Sequence, residues 1–208
     1  MLSLLGWHSS GNQELFTLDE LANEFSLERV SKSGAKFDPE KAKWFNQQYL
    51  RKRSDEELAK AWMPELESKG IKTDLAFAAK VISLIKEKAF FAHEFWSLGS
   101  FFFQQPEVYD KDVIKKRWSE NSANFFTELK NAFSTLNSFT AIETENTFKA
   151  TAEKLGIGAG QVMQLFRVCV SGLGGGPVLF DMVALLGKEE VMNRLDKAVK
   201  ILGTKVAQ

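Results

Sequence analysis

Signals for the start of an α-helix recur along the whole chain, and they constrain the fold more than any other feature. Thr17 with Glu20, and Ser54 with Glu57, fit the capping box, in which a hydroxyl and a carboxylate each accept a backbone N–H at the helix start. Other polar caps precede apolar residues spaced by three and four, and these caps are Asp38, Asp74, Asp110 and Thr140. No segment shows convincing two-residue alternation, so the sequence predicts an all-α fold.

The apolar spacing and the helix breakers between the caps predict where each helix begins and ends. Pro64 falls inside one helix and predicts a kink or a split into two helices. Pro177 is expected in the first turn of another, where its missing N–H removes no hydrogen bond. The predicted helices span 2–5, 17–25, 38–49, 54–69, 74–88, 110–118, 124–136, 141–155, 161–170, 178–186 and 188–202.

The length of 208 residues allows one or two domains with a sizeable core. The segment 99–109, which contains Pro106, is a plausible join between two helical bundles in series, 1–105 and 106–208. The stretch 89–103 before it is dense in aromatic residues, which we expect to pack between helices. An alternative is that the aromatic rings form an exposed surface for protein partners.

The charges balance, with 27 basic and 27 acidic residues, so any binding to nucleic acid has to come from local patches. One such patch lies between Glu28 and Arg53, where eight basic residues stand against three acidic ones. The aromatic residues Trp44, Phe45 and Tyr49 are interleaved with these cations. This combination is typical of surfaces that bind phosphates, although an ordinary solvated helix face shows the same composition.

Several classes of protein are disfavoured by what the sequence lacks. A single cysteine, Cys169, excludes an intrachain disulfide, and we expect it to be a buried apolar residue. With only His8 and His93 besides, no metal-ligand spacing or nucleophilic catalytic set is visible. The glycine run 172–176 lacks the lysine and hydroxyl of a phosphate-binding P-loop. There is no secretory signal or membrane span, so we expect a cytoplasmic protein, and we expect a monomer.

Two blocks of residues resemble the C-terminal half of bacterial glutamyl-tRNA synthetases. The first comprises Leu4 to Trp7, Phe25 to Asp38, Trp44 to Asn46 and Tyr49; the second comprises Gly160 to Val162, Gln164, Arg167, Ser171-Gly172, Gly176-Pro177, Leu179-Phe180 and Leu185 to Glu189. The resemblance covers essentially the whole chain and implies the helical anticodon-binding architecture of class I aminoacyl-tRNA synthetases. The family's HIGH and KMSKR-type signatures do not occur, so we expect the chain to be a fragment without the catalytic Rossmann domain.

The resemblance implies site residues at matching positions. Those that would line the pocket for splayed anticodon bases are Lys88, Lys149, Gln164, Arg167, Gly176, Pro177 and Leu179. Those that would contact the tRNA backbone near the inside of its L shape are Ser31, Lys32, Ser33 and Lys36. Many family members have arginine where Lys88 stands, and a lysine keeps the charge but lacks the planar fork with which arginine makes two parallel hydrogen bonds. The expected partner is the tRNA for glutamate, with the tRNA for glutamine as a second candidate.

The resemblance also implies how the chemistry is divided. The family esterifies glutamate to its tRNA with ATP and Mg²⁺ in the catalytic domain, so we expect no catalytic residue and no cofactor or metal site in this chain. Three alternatives concern individual positions. Lys88 and Lys149 could be solvated lysines, Gln164 and Arg167 could cap a neighbouring helix end, and 172–176 could be a flexible break. A stand-alone helical scaffold that binds protein partners through 90–103 is the alternative for the whole chain. An independent enzyme has no catalytic set to support it.

Overall fold

The computed structural model of the chain describes residues 2–32, 34 and 36–205. In this part of the chain no β-strand forms, and an isolated antiparallel bridge joins Trp7 to Val30. The predicted all-α fold is therefore confirmed. The described residues form eleven α-helices: α1 (Leu18–Glu24), α2 (Pro39–Lys52), α3 (Asp55–Ser68), α4 (Leu75–Ile85), α5 (Phe95–Gly99), α6 (Lys111–Arg117), α7 (Glu120–Ser134), α8 (Ala141–Lys154), α9 (Ala159–Ser171), α10 (Leu179–Leu186) and α11 (Lys188–Lys205).

The helix starts follow the capping chemistry predicted from the sequence. Thr17 and Ser54 each form a complete capping box at α1 and α3. The Asp38 carboxylate accepts from the backbone N–H of Glu40 at 2.9 Å, and Asp74 accepts from that of Phe77 at 2.7 Å. Asp110 and Thr140 cap α6 and α8 in the same way. These local hydrogen bonds satisfy N–H groups that have no partner within the helix.

The structure corrects one of the two outcomes predicted at Pro64 and the position predicted for Pro177. The helix that contains Pro64 is continuous from Asp55 to Ser68, so the proline does not split it. Pro64 is exposed, and so is Lys60, whose carbonyl loses its helical partner, so water can satisfy the freed acceptor. Pro177 lies two residues before α10 rather than in its first turn, because Val178 is the N-cap.

Aromatic side chains fill the core. Phe148 stacks on Phe166 at 5.2 Å between ring centroids, and Phe180 meets Phe148 edge-on at 5.6 Å. This arrangement joins α8, α9 and α10, which carry most of the residues predicted to line the anticodon pocket. Edge-to-face and offset contacts of this kind are favourable beyond the area that they bury.

The aromatic stretch 89–103 also belongs to the core, as the sequence predicted. Phe95, Phe101 and Phe102 are buried, and Trp62 of α3 meets Phe95 edge-on at 5.8 Å. The candidate partner surface of the scaffold alternative is therefore largely absent. Buried residues from both sides of 105/106 form one contiguous cluster, and the domain boundary at this point stays a prediction.

A buried arginine of the second predicted bundle, Arg194, binds the backbone of the segment that connects the two predicted bundles. The Arg194 side chain, on α11, is 2% exposed and its Nε lies 2.6 Å from Oε1 of Glu190. Its two Nη atoms donate to backbone carbonyls, Nη1 to Val170 at 2.6 Å and Nη2 to Gln104 at 3.4 Å. The end of α9 is thus held against α11 and against residue 104.

The N-terminal segment packs on α2. Trp7 is 4% exposed and lies against the rings of Phe16 and Phe25. The Tyr49 hydroxyl of α2 donates to the Phe16 carbonyl at 2.8 Å. Of the three aromatic residues that the sequence interleaves with cations on α2, Phe45 is buried while Trp44 and Tyr49 stay more than a third exposed.

Candidate nucleic-acid interface

Gln164 and Arg167 lie three residues apart on α9, so they share one face of that helix. The residues of α9 on its other faces, such as Leu165, Phe166 and Cys169, are fully buried. Gln164 and Arg167 are only partly buried, and they are therefore the polar groups that this helix presents at the edge of the core.

The guanidinium of Arg167 has an unsatisfied nitrogen. Its Nη1 is buried and has no hydrogen-bond partner among the described residues. Burial lowers the pKa of Arg167 below its ordinary value, although an arginine side chain stays charged at neutral pH. A charged donor without an acceptor costs free energy in a partly desolvated position, so an acceptor that reached Nη1 would be favourable.

Gly176 lies beside this nitrogen. A Cβ placed on Gly176 would be 3.2 Å from Nη1 of Arg167, and the φ of 150° at Gly176 disfavours any residue with a side chain. A side chain at position 176 would therefore crowd the guanidinium. The structure brings these two predicted site residues together from α9 and from the loop that follows it.

The loop 172–176 is closely packed at Gly172 and Gly174. A Cβ on Gly172 would lie 2.7 Å from the Val108 carbonyl oxygen, and one on Gly174 would lie 2.6 Å from Oδ2 of Asp110. The backbone N–H of Asp110 donates to the Gly172 carbonyl at 2.9 Å. Glycines are needed here because the backbone approaches the segment before α6 so closely.

Two of the predicted pocket residues are buried next to this loop. Pro177 is buried, and Leu179, the first residue of α10, is 5% exposed and belongs to the core. Their side chains therefore pack in the core next to the loop, and little of their surface is accessible to a ligand. The N-cap of α10, Val178, makes no side-chain cap, so the first N–H groups of this helix have no such acceptor.

Lys88 lies in a separate turn that is fixed to α2. The Glu87 carbonyl accepts hydrogen bonds from Nη2 of Arg51 at 2.6 Å and from Nε2 of Gln47 at 3.3 Å. Asn46 donates to the Phe90 carbonyl on the other side of the lysine. Lys88 itself is exposed and forms no ion pair with the described residues. The preceding helix, α4, packs against α10, which relates this turn to the Arg167 region.

Lys149 is on α8, which packs against α9 and α10. Its Nζ lies 2.6 Å from Oε1 of Glu145, one turn earlier, and its side chain is 54% exposed. The lysine is thus available to solvent, but its charge has a partner on its own helix.

The predicted backbone-contact residues lie on an exposed segment before α2. Ser31, Lys32 and Lys36 are exposed, and the backbone N–H of Ser31 donates to the Gly6 carbonyl at 2.6 Å. Neither lysine forms an ion pair with the described part of the chain. Ser33 lies outside the described residues.

Ion pairs neutralise much of the basic patch that the sequence indicates between residues 28 and 53. Its cations meet acidic residues from inside and outside the patch, in the pairs Arg29–Glu24, Lys41–Glu14, Lys43–Glu40 and Arg51–Glu87. Three of these four acids, Glu14, Glu24 and Glu87, lie outside the counted stretch. The local excess of charge counted from the sequence is therefore larger than the free charge.

A second group of cations was missed by the sequence analysis. Helix α6 carries four basic residues and one acidic residue within seven positions, and no ion pair to a described residue satisfies Lys111, Lys115, Lys116 or Arg117. The run of three cations from 115 to 117 was a visible signal. This run is short and the chain as a whole is neutral, so the sequence analysis did not single it out.

The other predicted properties concern reactivity and location. Cys169 is fully buried, and burial raises the pKa of its thiol above its ordinary value, so it is a packing residue as predicted. Within the described residues, no group of three or more His, Cys, Asp or Glu side chains could hold a metal ion. No helix in the described ranges has the length and apolar character needed to cross a membrane.

The described residues form an all-α fold that presents Gln164 and Arg167 at the edge of its core, and comparisons with known proteins identify its family. The chain belongs to the anticodon binding domain family, which matches residues 46–199. It is similar to the glutamate–tRNA ligases of Flavobacterium johnsoniae, 46% identical over 201 residues, and of Phocaeicola vulgatus, 41% identical over 201 residues. Each match covers 97% of this chain and 40% of the relative's own length.

Solved structures agree with the sequence comparison. A glutamate tRNA ligase from Elizabethkingia meningosepticum in complex with its amino acid superposes with a TM-score of 0.90 at 38% identity. A glutamate–tRNA synthetase from Elizabethkingia anophelis superposes with a TM-score of 0.85 at 37% identity. These matches cover 97% and 96% of this chain and 40% and 39% of the solved chains. The predicted resemblance is confirmed.

Proposed function

We propose that this chain is the tRNA-binding, anticodon-recognising portion of a glutamate–tRNA ligase. The partner is the tRNA for glutamate, and the lysine at position 88 leaves the tRNA for glutamine as a second candidate. The protein acts as a monomer in the cytoplasm. The residues 1–105 form the end of the stem-contact region with a first helical bundle, and 106–208 form a second bundle that completes the anticodon site.

The observation that carries this proposal is the unsatisfied guanidinium of Arg167. Its buried Nη1 has no partner among the described residues and faces the side-chain-free Gly176. Arginine donors pair with phosphate oxygens and with the acceptor edge of guanine. Bases of a single-stranded loop can be splayed out and present such edges, whereas paired bases in an RNA helix cannot.

The other predicted residues act around this group. Gln164 shares the face of Arg167 and can donate to or accept from a base edge. Lys88 offers an exposed charge on a turn held by α2, and Lys149 becomes available when its pair with Glu145 opens. Pro177 and Leu179 position the loop from within the core, and Gly176 leaves room for the base.

The backbone contacts are assigned to the segment before α2. Lys32 and Lys36 are exposed cations without ion pairs in the described residues, which suits contacts with phosphates, and Ser31 and Ser33 lie beside them in sequence. Such contacts set the position of the tRNA without reading its sequence.

The full reaction joins glutamate to the tRNA at the expense of ATP with Mg²⁺. Because the chain matches 40% of the length of the ligases that it resembles, we assign ATP, Mg²⁺ and catalysis to the remainder of such a ligase. What this chain's residues do in that reaction is hold the tRNA in position.

The test compares two transcripts of the glutamate tRNA, one with its own anticodon and one with all three anticodon bases replaced. Binding of the purified chain is measured at about 150 mM salt, where non-specific phosphate attraction is strongly screened. We expect clearly tighter binding of the transcript with its own anticodon. Equal binding of the two transcripts would exclude anticodon recognition by this chain.

Substitutions then locate the recognition. Lys88→Ala and Arg167→Lys should each weaken binding of the matching transcript by about 1–3 kcal/mol if they contact a base edge. Lys60→Ala is the matched control, because Lys60 is an exposed lysine of α3 without an assigned contact. The control should leave both transcripts unaffected. An unchanged affinity for Lys88→Ala would make Lys88 a solvated lysine.

A further inference from the structure

A cavity lies between the segment that leads into α6 and the end of α11. Its volume is about 660 Å³, within the range of ligand sites in proteins. It is separate from the Arg167 region in its lining, which consists of Glu107, Val108, Tyr109, Lys111, Ile114, Lys115, Trp118, Ile201 and Leu202.

One side of this cavity is apolar and contains an aromatic ring. Trp118, the residue after α6, is held by the core, since its ring is tilted at 31° to Phe126 at a centroid distance of 6.1 Å. Ile114 on α6 and Ile201 on α11 add aliphatic surface. An indole beside aliphatic side chains is a suitable platform for a flat ring, because every nucleobase has a face that stacks.

The other side of the cavity carries positive charge. Lys111 and Lys115 are four residues apart on α6, so they lie on one face of the helix, and both line the cavity. Glu107 is the acidic residue of the lining, and the Asp110 carboxylate is engaged in capping α6. Neither lysine forms an ion pair with the described residues, so both can bind an anion.

Tyr109 is part of the lining, but its hydroxyl is enclosed by the core. The residue is 6% exposed, and the hydroxyl is buried near Cys169 and Arg194 without a hydrogen-bond partner in the described part of the chain. Burial raises the pKa of this hydroxyl. The polar groups that the cavity offers to an anion are therefore Lys111 and Lys115.

We infer that this cavity binds an unstacked nucleotide of an RNA strand, with its base against Trp118 and its phosphate at Lys111 and Lys115. Lys116 and Arg117 continue the charge along α6 outside the cavity lining, which suits the further phosphates of a strand and not a free nucleotide. The inference rests on the proposed function in one respect, which is that the nucleotide belongs to a bound tRNA. None of the residues assigned to the anticodon or to the tRNA backbone lines this cavity.

The experiment is photo-crosslinking of the purified chain to the glutamate tRNA transcript carrying 4-thiouridine, followed by mass spectrometry of the adducts. We expect an adduct within residues 107–118 or at 201–202. The double variant Lys111→Gln/Lys115→Gln should reduce its yield about tenfold, because two phosphate contacts are lost. The control Lys60→Gln/Lys72→Gln removes the same charge elsewhere and should leave the yield unchanged, and circular dichroism verifies that both variants are folded.

The outcomes separate this inference from the proposed function. Anticodon-dependent binding with no adduct at the cavity overturns the inference and leaves the proposed function standing. An adduct at the cavity that persists after the anticodon is replaced supports the inference whether or not the anticodon is read. Uridine 5′-monophosphate could also bind the cavity saturably and stay bound when the tRNA is added. That result would overturn the claim that the nucleotide in the cavity belongs to an RNA strand.

Discussion

The basic stretch from residue 28 to 53 and the short helix α6 show opposite relations between charge in the sequence and charge at the surface. The first has eight basic residues, and half of them are held in ion pairs, two of these by acids more than 25 residues away in sequence. The second has four, none of them in an ion pair with a described residue. Each region therefore has four cations without an ion pair to a described residue, although α6 is only about a quarter as long as the basic stretch.

This difference shows that the number of basic residues in a stretch of sequence does not give the number of cations that are free to bind a ligand. Glu14, for example, is 27 residues from Lys41 in sequence and 2.7 Å from its ammonium group in space. Pairs of this kind also serve the fold, since they hold the N-terminal segment on α2. Unpaired cations are the ones expected to meet phosphates, and the following substitutions test this division.

The largest effect is expected where a paired cation is buried. Arg194→Ala removes the donors to Glu190, Val170 and Gln104, which leaves Glu190 with its hydrogen bond from Gln105 and takes the arginine donor from both carbonyls. We expect a loss of about 3 kcal/mol in the free energy of unfolding, measured by urea denaturation. Lys130→Ala breaks the surface pair with Asp196 and is the matched control, with an expected loss below about 1 kcal/mol. Similar losses for the two variants would show that burial is not what makes Arg194 important.

A smaller effect separates free from paired cations within the basic stretch. Lys32→Gln/Lys36→Gln removes two unpaired charges and should weaken tRNA binding about tenfold at moderate salt. Lys41→Gln/Lys43→Gln removes the same charge from two pairs and should weaken it by no more than about twofold. The affinities are compared by filter binding at several salt concentrations. Equal losses would mean that ion pairing does not decide which cations bind.

The smallest effect is expected for a lysine released from its partner. Glu145→Gln removes the ion pair of Lys149 while keeping a side chain of the same shape. If Lys149 contacts the tRNA, its release should tighten binding by roughly 0.3–0.5 kcal/mol, about twofold, the usual worth of such a pair on a helix. Glu143→Gln on the same helix serves as the control, because Glu143 accepts from Thr140 and pairs with no lysine. Identical affinities for Glu145→Gln and wild type would place Lys149 outside the contact surface.

The sequence by itself determined the helices, because caps and periodicity act over three or four residues. Thr17, Ser54 and Asp74 form the predicted caps, and Gly156 and Gly187 end helices at positive φ. The family resemblance likewise required only matched residues in order. Pro64 marks the limit of such local signals, because the exposure of its site made a continuous helix acceptable.

The tertiary structure alone decided which polar groups are free. Nothing in the spacing of Arg167 and Gly176 predicts that an unpaired guanidinium nitrogen faces a glycine without a side chain. In the same way, the cavity at Trp118 requires α11 to return beside α6, more than eighty residues later in the chain. Ion pairs and cavities depend on distances across the fold, and those distances follow from packing of the whole core.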